Sequence, residues 1–327
     1  MESIVKVKNL RKTFKVTYKE KEGLLYSLKS LYKRNFKTVV AVDNIDFDIK
    51  KGEIRGMIGP NGAGKSTTIK ILAGILHPTE GEVNVMGFIP WKDRQVYVKS
   101  IGVVFGQKGQ LTWELPAIDT FALYKEIFQI PEKRYRKNLD YFIESFHIQE
   151  IVKKPVRNLS LGERMKCEMI CALLHEPQLV FLDEPTIGLD LISKDTVRTF
   201  IKKVNKELGT TFILTTHDLN EIENLCNLVT IINNGHIVYD DSLQKLKNVY
   251  SNTKIIDLTF SEPVNQDRIN GFNIEFTDPY SGRMTIDLDK YDFHTEISKV
   301  LSELPIKDMD INSVDIETVI KNIYQRK

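Results

Sequence analysis

Long apolar runs are missing from this chain of 327 residues. The longest unbroken one, Met169 to Leu174, covers six residues, whereas a membrane-spanning helix needs about 20. The chain is therefore not expected to cross a bilayer. Its first residues, Met1-Glu2-Ser3-Ile4-Val5-Lys6, lack the apolar segment of a secretory leader. Cysteine is scarce, with three residues, Cys167, Cys171 and Cys226, in no metal-ligand spacing. An odd count without a leader fits a reducing cytosol rather than a disulfide framework. No charge sign dominates, since 46 Lys and Arg face 44 Asp and Glu for a net charge of +2. That excess gives no ground for expecting a nucleic-acid partner. Sustained heptads are also missing, which excludes a long coiled coil.

What remains is ordinary globular composition, 42% hydrophobic and 28% charged, at a length that suggests two domains. Charge is unevenly spread. Residues 1–51 hold 13 Lys and Arg against 6 Asp and Glu, and residues 254–327 hold 9 against 14. The two ends either face different neighbours or are simply solvated.

Residues 4–10 alternate like a strand, and Val39 to Ile49 reads as a strand pair around Asp43-Asn44. Between them lies an insertion, 16–37. In it Leu24, Leu25, Leu28, Leu31 and Tyr32 recur at helical spacing, opposite Lys29, Lys33 and Arg34. A basic amphipathic helix over 22–35 is expected, either a plain surface helix or a contact for anionic lipid headgroups or a membrane protein. Ile54 to Ile58 predicts a strand entering a Gly-rich loop, and Thr68 to Leu76 the helix leaving it. Strand 101–106 ends at Gln107. A helical pattern fills 117 to about 154, followed by a helix at 161–174, a strand at 179–183 and a helix at 193–208. Strands follow at 211–215 and 228–232, then a hairpin turn at Asn233-Asn234-Gly235. Strands alternating with helices predict a parallel-sheet α/β core. The helical stretch at about 108–175 reads as an inserted subdomain. Boundaries are expected at 1–243 for the core domain, 244–253 for a linker and 254–327 for a small α+β domain. That last domain has strands predicted at 254–260, 272–277 and 283–288 and helices at 293–303 and 315–324.

Gly59-Pro60-Asn61-Gly62-Ala63-Gly64-Lys65-Ser66-Thr67 matches the phosphate-loop pattern in full, between a strand and a helix. Glycines let backbone N–H groups converge on phosphates, and the helix N-terminus adds positive dipole. Lys65 supplies a point charge and the Ser66 hydroxyl a ligand for Mg²⁺. Asp183 ends the apolar run Val180-Phe181-Leu182, where a carboxylate can hold the Mg²⁺ shell, and Glu184 beside it can take a proton from attacking water. His217 follows Phe212-Ile213-Leu214-Thr215-Thr216, at the strand end where α/β sites gather. Gln107 could reach Mg²⁺ or water with its amide oxygen.

Between loop and acids lies Leu159-Ser160-Leu161-Gly162-Glu163, a Ser-x-Gly turn opening a helix. With that element the chain, over roughly residues 4 to 240, resembles the ABC (ATP-binding cassette) ATPases. The loop resembles their Walker A segment, and 179–184 their Walker B segment with its catalytic Glu184. Gln107 falls at the Q-loop, Ile187 to Asp190 at the D-loop and His217 at the switch histidine. The usual LSGGQ signature reads LSLGE here, keeping Ser160 and Gly162 and departing at Leu161 and Glu163. The resemblance implies an α/β P-loop ABC ATPase core with an inserted helical subdomain and an antiparallel β subdomain, plus the small C-terminal α+β domain.

It further implies ATP and Mg²⁺ as cofactors. The base would stack on Phe14 in Leu10-Arg11-Lys12-Thr13-Phe14, with Tyr18 as the alternative. Two copies, or this chain and a related ATPase, would meet head to tail, so that Ser160 and Gly162 of one reach the γ-phosphate held by the other. Gln107 and the following Leu111 to Pro116 resemble ATPases of type-2 exporters, including viologen-type drug exporters; the insertion at 16–37 resembles the same group and, more loosely, the teichoic-acid and O-antigen polysaccharide exporters. Trp113 and Leu115 either contact a separate membrane permease or pack inside the helical subdomain. The expected place of work is the cytoplasmic face of the membrane. An importer ATPase is the alternative, and a soluble non-transport ABC protein a more distant one. Nothing in the sequence names the transported substrate.

Overall fold

The computed structural model describes residues 2–18, 35–106, 109–248, 253–265, 272–313 and 316–325. The chain divides into two compact units, Met1–Asp241 and Ser242–Lys327.

In the first unit, β1 (Ser3–Tyr18) pairs antiparallel with β2 (Asn35–Lys50). Next come β3 (Ile54–Ile58), α1 (Lys65–Leu72) and β4 (Glu80–Val85), which pairs with the other side of β1. A short α2 (Arg94–Tyr97) precedes β5 (Ile101–Phe105). The helical stretch holds α3 (Ala117–Ile127), α4 (Glu132–Phe146) and α5 (Leu161–Leu173). Then follow β6 (Leu179–Asp183), α6 (Leu191–Leu208), β7 (Thr211–Thr215), α7 (Leu219–Leu225), β8 (Leu228–Asn233) and β9 (His236–Ser242). One sheet has the order β2-β1-β4, the other β5-β6-β7-β3-β8-β9. In the larger sheet β5, β6, β7, β3 and β8 run parallel.

Parallel strands covered on both faces require apolar side chains at successive positions, not alternate ones. Val180-Phe181-Leu182 and Phe212-Ile213-Leu214 meet that requirement, and all six side chains are fully buried. Each such burial is worth about 1.5–3 kcal/mol, so β6 and β7 form a firm base for the polar residues at their ends. Met57, Ile69, Phe181 and Ile213 share a core with Val5, Ile49 and Val83, which joins the two sheets. Register places Thr215 opposite both Met57 and Asp183, so the chain ends of β3, β6 and β7 converge.

Several expectations change. Asp43-Asn44 does not turn a hairpin. β2 runs on as one strand with a bulge, its register slipping between Leu10↔Ile45 and Lys12↔Val42, with Asn44 at φ 51°. The insertion is narrower than 16–37, because Val16, Thr17 and Tyr18 pair with Lys37, Phe36 and Asn35. Of the helix expected over 22–35, Asn35 opens β2, and the rest lies outside the described residues. The helix after the glycine loop begins at Lys65 rather than Thr68.

The second unit opens with α8 (Leu243–Asn248), which begins at the last residue of the expected core domain and runs into the 244–253 stretch expected to be a linker. It continues with β10 (Thr253–Phe260), β11 (Ile274–Asp278), β12 (Ser281–Asp287), α9 (Phe293–Glu303), β13 (Ile306–Ser313) and α10 (Ile316–Gln325). Its sheet is antiparallel in the order β11-β12-β10-β13, and Ile256, Leu258, Phe260, Met284 and Val300 share its core.

Candidate active site

The acidic end of β6 is held by hydroxyls from two other elements. Ser66 Oγ, in the first turn of α1, donates to Asp183 Oδ1 at 2.8 Å. Thr215 Oγ1, at the end of β7, donates to the same oxygen at 2.6 Å. The Glu184 N–H donates to Thr215 Oγ1 at 3.1 Å. Glu184 has φ 52°, a left-handed backbone uncommon for a non-glycine residue and often found at functional sites. Its carboxylate Oε1 lies 3.4 Å from His217 Nδ1. A cleft of about 700 Å³ opens here, lined by Asn61, Ser66, Phe105, Gly106, Asp183, Glu184 and His217 among others.

Lys65 is buried, and its Nζ donates to the carbonyl oxygens of Gly59 at 2.7 Å and Pro60 at 3.1 Å. Burial holds its ammonium below the ordinary lysine range, against the opposing pull of the Glu184 and Asp183 carboxylates. No side chain caps α1, so its first N–H groups are left for another acceptor, the arrangement that receives an anion. Ser66 Oγ and Asp183 Oδ1 sit side by side as hard oxygen donors. That pair suits a cation such as Mg²⁺, which takes one or two protein oxygens and the rest from water and phosphate. Among the described residues no group of three His, Cys, Asp or Glu could cage a metal, so such a cation would depend on the phosphates.

The remaining residues singled out in the sequence lie elsewhere. Ser160 is the N-cap of α5 and forms a closed capping box with Glu163. The Glu163 N–H donates to Ser160 Oγ at 3.2 Å, and the Ser160 N–H to Glu163 Oε2 at 2.8 Å. The departure to Glu163 thus supplies the acidic partner of the box. A Cβ on Gly162 would sit 2.3 Å from Ser193 Oγ, so any side chain there would force Ser193 to shift. Asp190 caps α6 through Ser193, accepting from its N–H at 2.9 Å and its hydroxyl at 2.7 Å. Ser160, Gly162, Asp190 and Phe14 are all outside the cleft lining. Phe14 on β1 pairs with Val39 on β2, and Lys12 Nζ lies 5.1 Å from the Phe14 ring centroid. Gln107 lies outside the described residues.

Thr215 was missed in the sequence. The available signal was a hydroxyl at the end of a strand that runs beside the acidic one. Two further ties were missed. Thr186 Oγ1 donates to buried Glu221, and Lys194 pairs with Asp218 at 2.7 Å, binding the segment after Glu184 to the helix that follows His217.

Residues 42–187 match the family described as "ABC transporter". The chain is 30% identical over 224 residues to the ABC transporter ATP-binding protein NatA of Bacillus subtilis, covering 68% of this chain and 89% of that one. It is 33% identical over 222 residues to the bacitracin transport ATP-binding protein BcrA of Bacillus licheniformis, covering 68% and 71%. Among solved structures it resembles a dimeric post-hydrolysis state of the ATP-binding cassette MJ0796 bound to ADP and Pi. That likeness has TM-score 0.60 and 26% identity over 73% of this chain and 98% of that one. Sequence kinship across two thirds of the chain and a phosphate loop facing two strand-end acids lead to one assignment: the chain belongs to the ABC transporter ATPases.

Proposed function

We propose that the cleft binds Mg·ATP and that its hydrolysis drives a separate membrane permease. The convergence of Ser66, Asp183, Glu184 and His217 on one cleft beside buried Lys65 carries this reading. Lys65 and the N–H groups of the 59–67 loop receive the phosphates. Ser66 and Asp183, with Gln107, would hold Mg²⁺, which when bound would supply charge neutralisation for the phosphates. Glu184 accepts the proton of the attacking water, and His217, within 3.4 Å of its carboxylate, stabilises charge at the γ-phosphate. Phe14 stacks on the base.

Ser160 and Gly162 stay outside the cleft of their own chain. That supports a head-to-tail dimer in which they cover the ATP of the partner, with Asp190 beside the shared interface. Relatives named for bacitracin transport, linearmycin resistance and daunorubicin resistance support export of a drug-like substrate at the cytoplasmic face of the membrane. No helix among the described residues is long and apolar enough to cross a membrane. Trp113 and Leu115, 53% and 45% exposed, with Arg164 over the Trp113 ring, offer a surface for that permease.

Replacing Glu184 by Gln keeps the shape and removes the base. Turnover is expected to fall about 10²-fold or more, with ATP binding kept and an ATP-dependent dimer visible on sizing. Wild-type turnover in Glu184→Gln would remove the assignment.

A further inference from the structure

One buried carboxylate ties the segment beyond β5 to the middle of α5. Glu168 is 3% exposed and stands eight residues after Ser160, about two helical turns. The Gln110 N–H is 2.9 and 3.0 Å from its two oxygens, and the Leu111 N–H reaches Oε1 at 3.4 Å. Gln110 is itself fixed from both sides: its Nε2 donates to Val103 O at 2.6 Å, and its Oε1 accepts from the Tyr124 hydroxyl at 2.7 Å. One short segment thereby joins β5, α3 and α5. A Cβ on Gly109 would come within 2.9 Å of Glu168 Oε1, so the carboxylate occupies space that a side chain there would need.

Burying a carboxylate is expensive, and a site that needed only packing would be served as well by an apolar residue. Burial raises the Glu168 carboxyl above its ordinary range, and the N–H groups of Gln110 and Leu111 oppose that shift. The acid is therefore retained for what it holds. Upstream of the held segment, Phe105 and Gly106 line the cleft, and the Gly106 N–H donates to Asp183 O at 2.9 Å. At the N-terminal end of α5 stands the Ser160 turn.

We propose that Glu168 is a positioning residue for ATP hydrolysis: by fastening Gly109–Leu111 to α5, it makes the cleft wall at Phe105–Gly106 and the Ser160–Gly162 turn shift as one piece. The proposal rests on the ATPase reading given above. Without the tie, ATP still binds, but the turn and the cleft wall no longer take up their catalytic places together.

The test uses the full chain carrying Glu168→Gln, nearly the same shape without the charge. Turnover, kcat, should fall about tenfold or more, as for outer residues that orient a metal or phosphate site. KM for ATP should stay within about twofold, since binding groups are untouched. Amide exchange at Gln110 and Leu111 should speed up, and the nucleotide-free melting temperature should not fall. Wild-type kcat, unchanged exchange at those two amides, or a kcat loss that comes with a lower melting temperature would each overturn the proposal. Glu184→Gln, measured alongside, separates the two failures. If it is inactive while Glu168→Gln turns over normally, only the positioning role falls; if it turns over normally, the ATPase reading falls first.

Discussion

Asp183 reaches the site already oriented, because Oδ1 accepts from both Ser66 and Thr215. Thr215 does double duty, since it also receives the Glu184 N–H. Thr215→Val preserves the β-branched shape and removes both bonds. It should lower kcat about tenfold through the misplaced carboxylates. It should also lower unfolding free energy by about 0.5–1.5 kcal/mol for the lost hydroxyl bond to Asp183, while the Glu184 N–H keeps the Thr215 carbonyl oxygen at 3.1 Å. Steady-state ATPase assays and urea titration check the two parts, and full activity would show that Thr215 orients nothing. Lys65, Ser66, Asp183, Glu184 and His217 could be put forward as candidates from sequence because each sits at a fixed distance from a glycine loop or at the end of an apolar strand. Thr215 could not. It is one of several threonines between 210 and 216, and only the β6–β7 register sets it against Asp183.

At the scale of elements, continuous apolar runs made β6 and β7 legible. β13 was not, because Asp308 and Asp310 interrupt it and Asp disfavours strands. It lies at the edge of its sheet, where charged residues are tolerated. Asp43-Asn44 imitated a hairpin because a bulge can use the same left-handed backbone as a tight turn.

The end of α5 carries a pH-sensitive contact. His175 Nε2 lies 2.9 Å from Ile101 O, and its ring stacks on Phe128 with centroids 3.9 Å apart. Burial pushes its pKa down from 6.5 to about 4. Folding therefore favours the neutral ring. The stability it confers is complete above pH 6.5 and is lost as pH falls toward 4, on the order of 2–3 kcal/mol. His175→Gln keeps a donor for Ile101 O and cannot titrate. Its stability, followed by urea titration, should fall less steeply than wild type between pH 6.5 and 4. Equal slopes would assign the acid sensitivity to other groups.

At the scale of the whole molecule, the chain divides after Asp241, where the sequence pattern predicts a core domain to 243 and a linker to 253. The short α8 falls where the sequence predicts a linker, because six residues are too few to show a helical period. Every residue lining the cleft belongs to the first unit. Ser160 and Gly162 belong to it too and yet stand apart from the cleft, which is why one chain is proposed to hold only half of a working site.

Mixing two inactive variants tests that claim most directly. Lys65→Ala removes a phosphate contact from the chain that holds ATP. Ser160→Asp keeps a good N-cap for α5 while placing a negative charge against the partner's γ-phosphate. Each variant alone should lack turnover. In a mixed head-to-tail dimer one site carries both defects and the other neither, so with random pairing about a quarter of wild-type ATPase should return. Activity that never rises above that of either variant alone would contradict a site shared between two molecules.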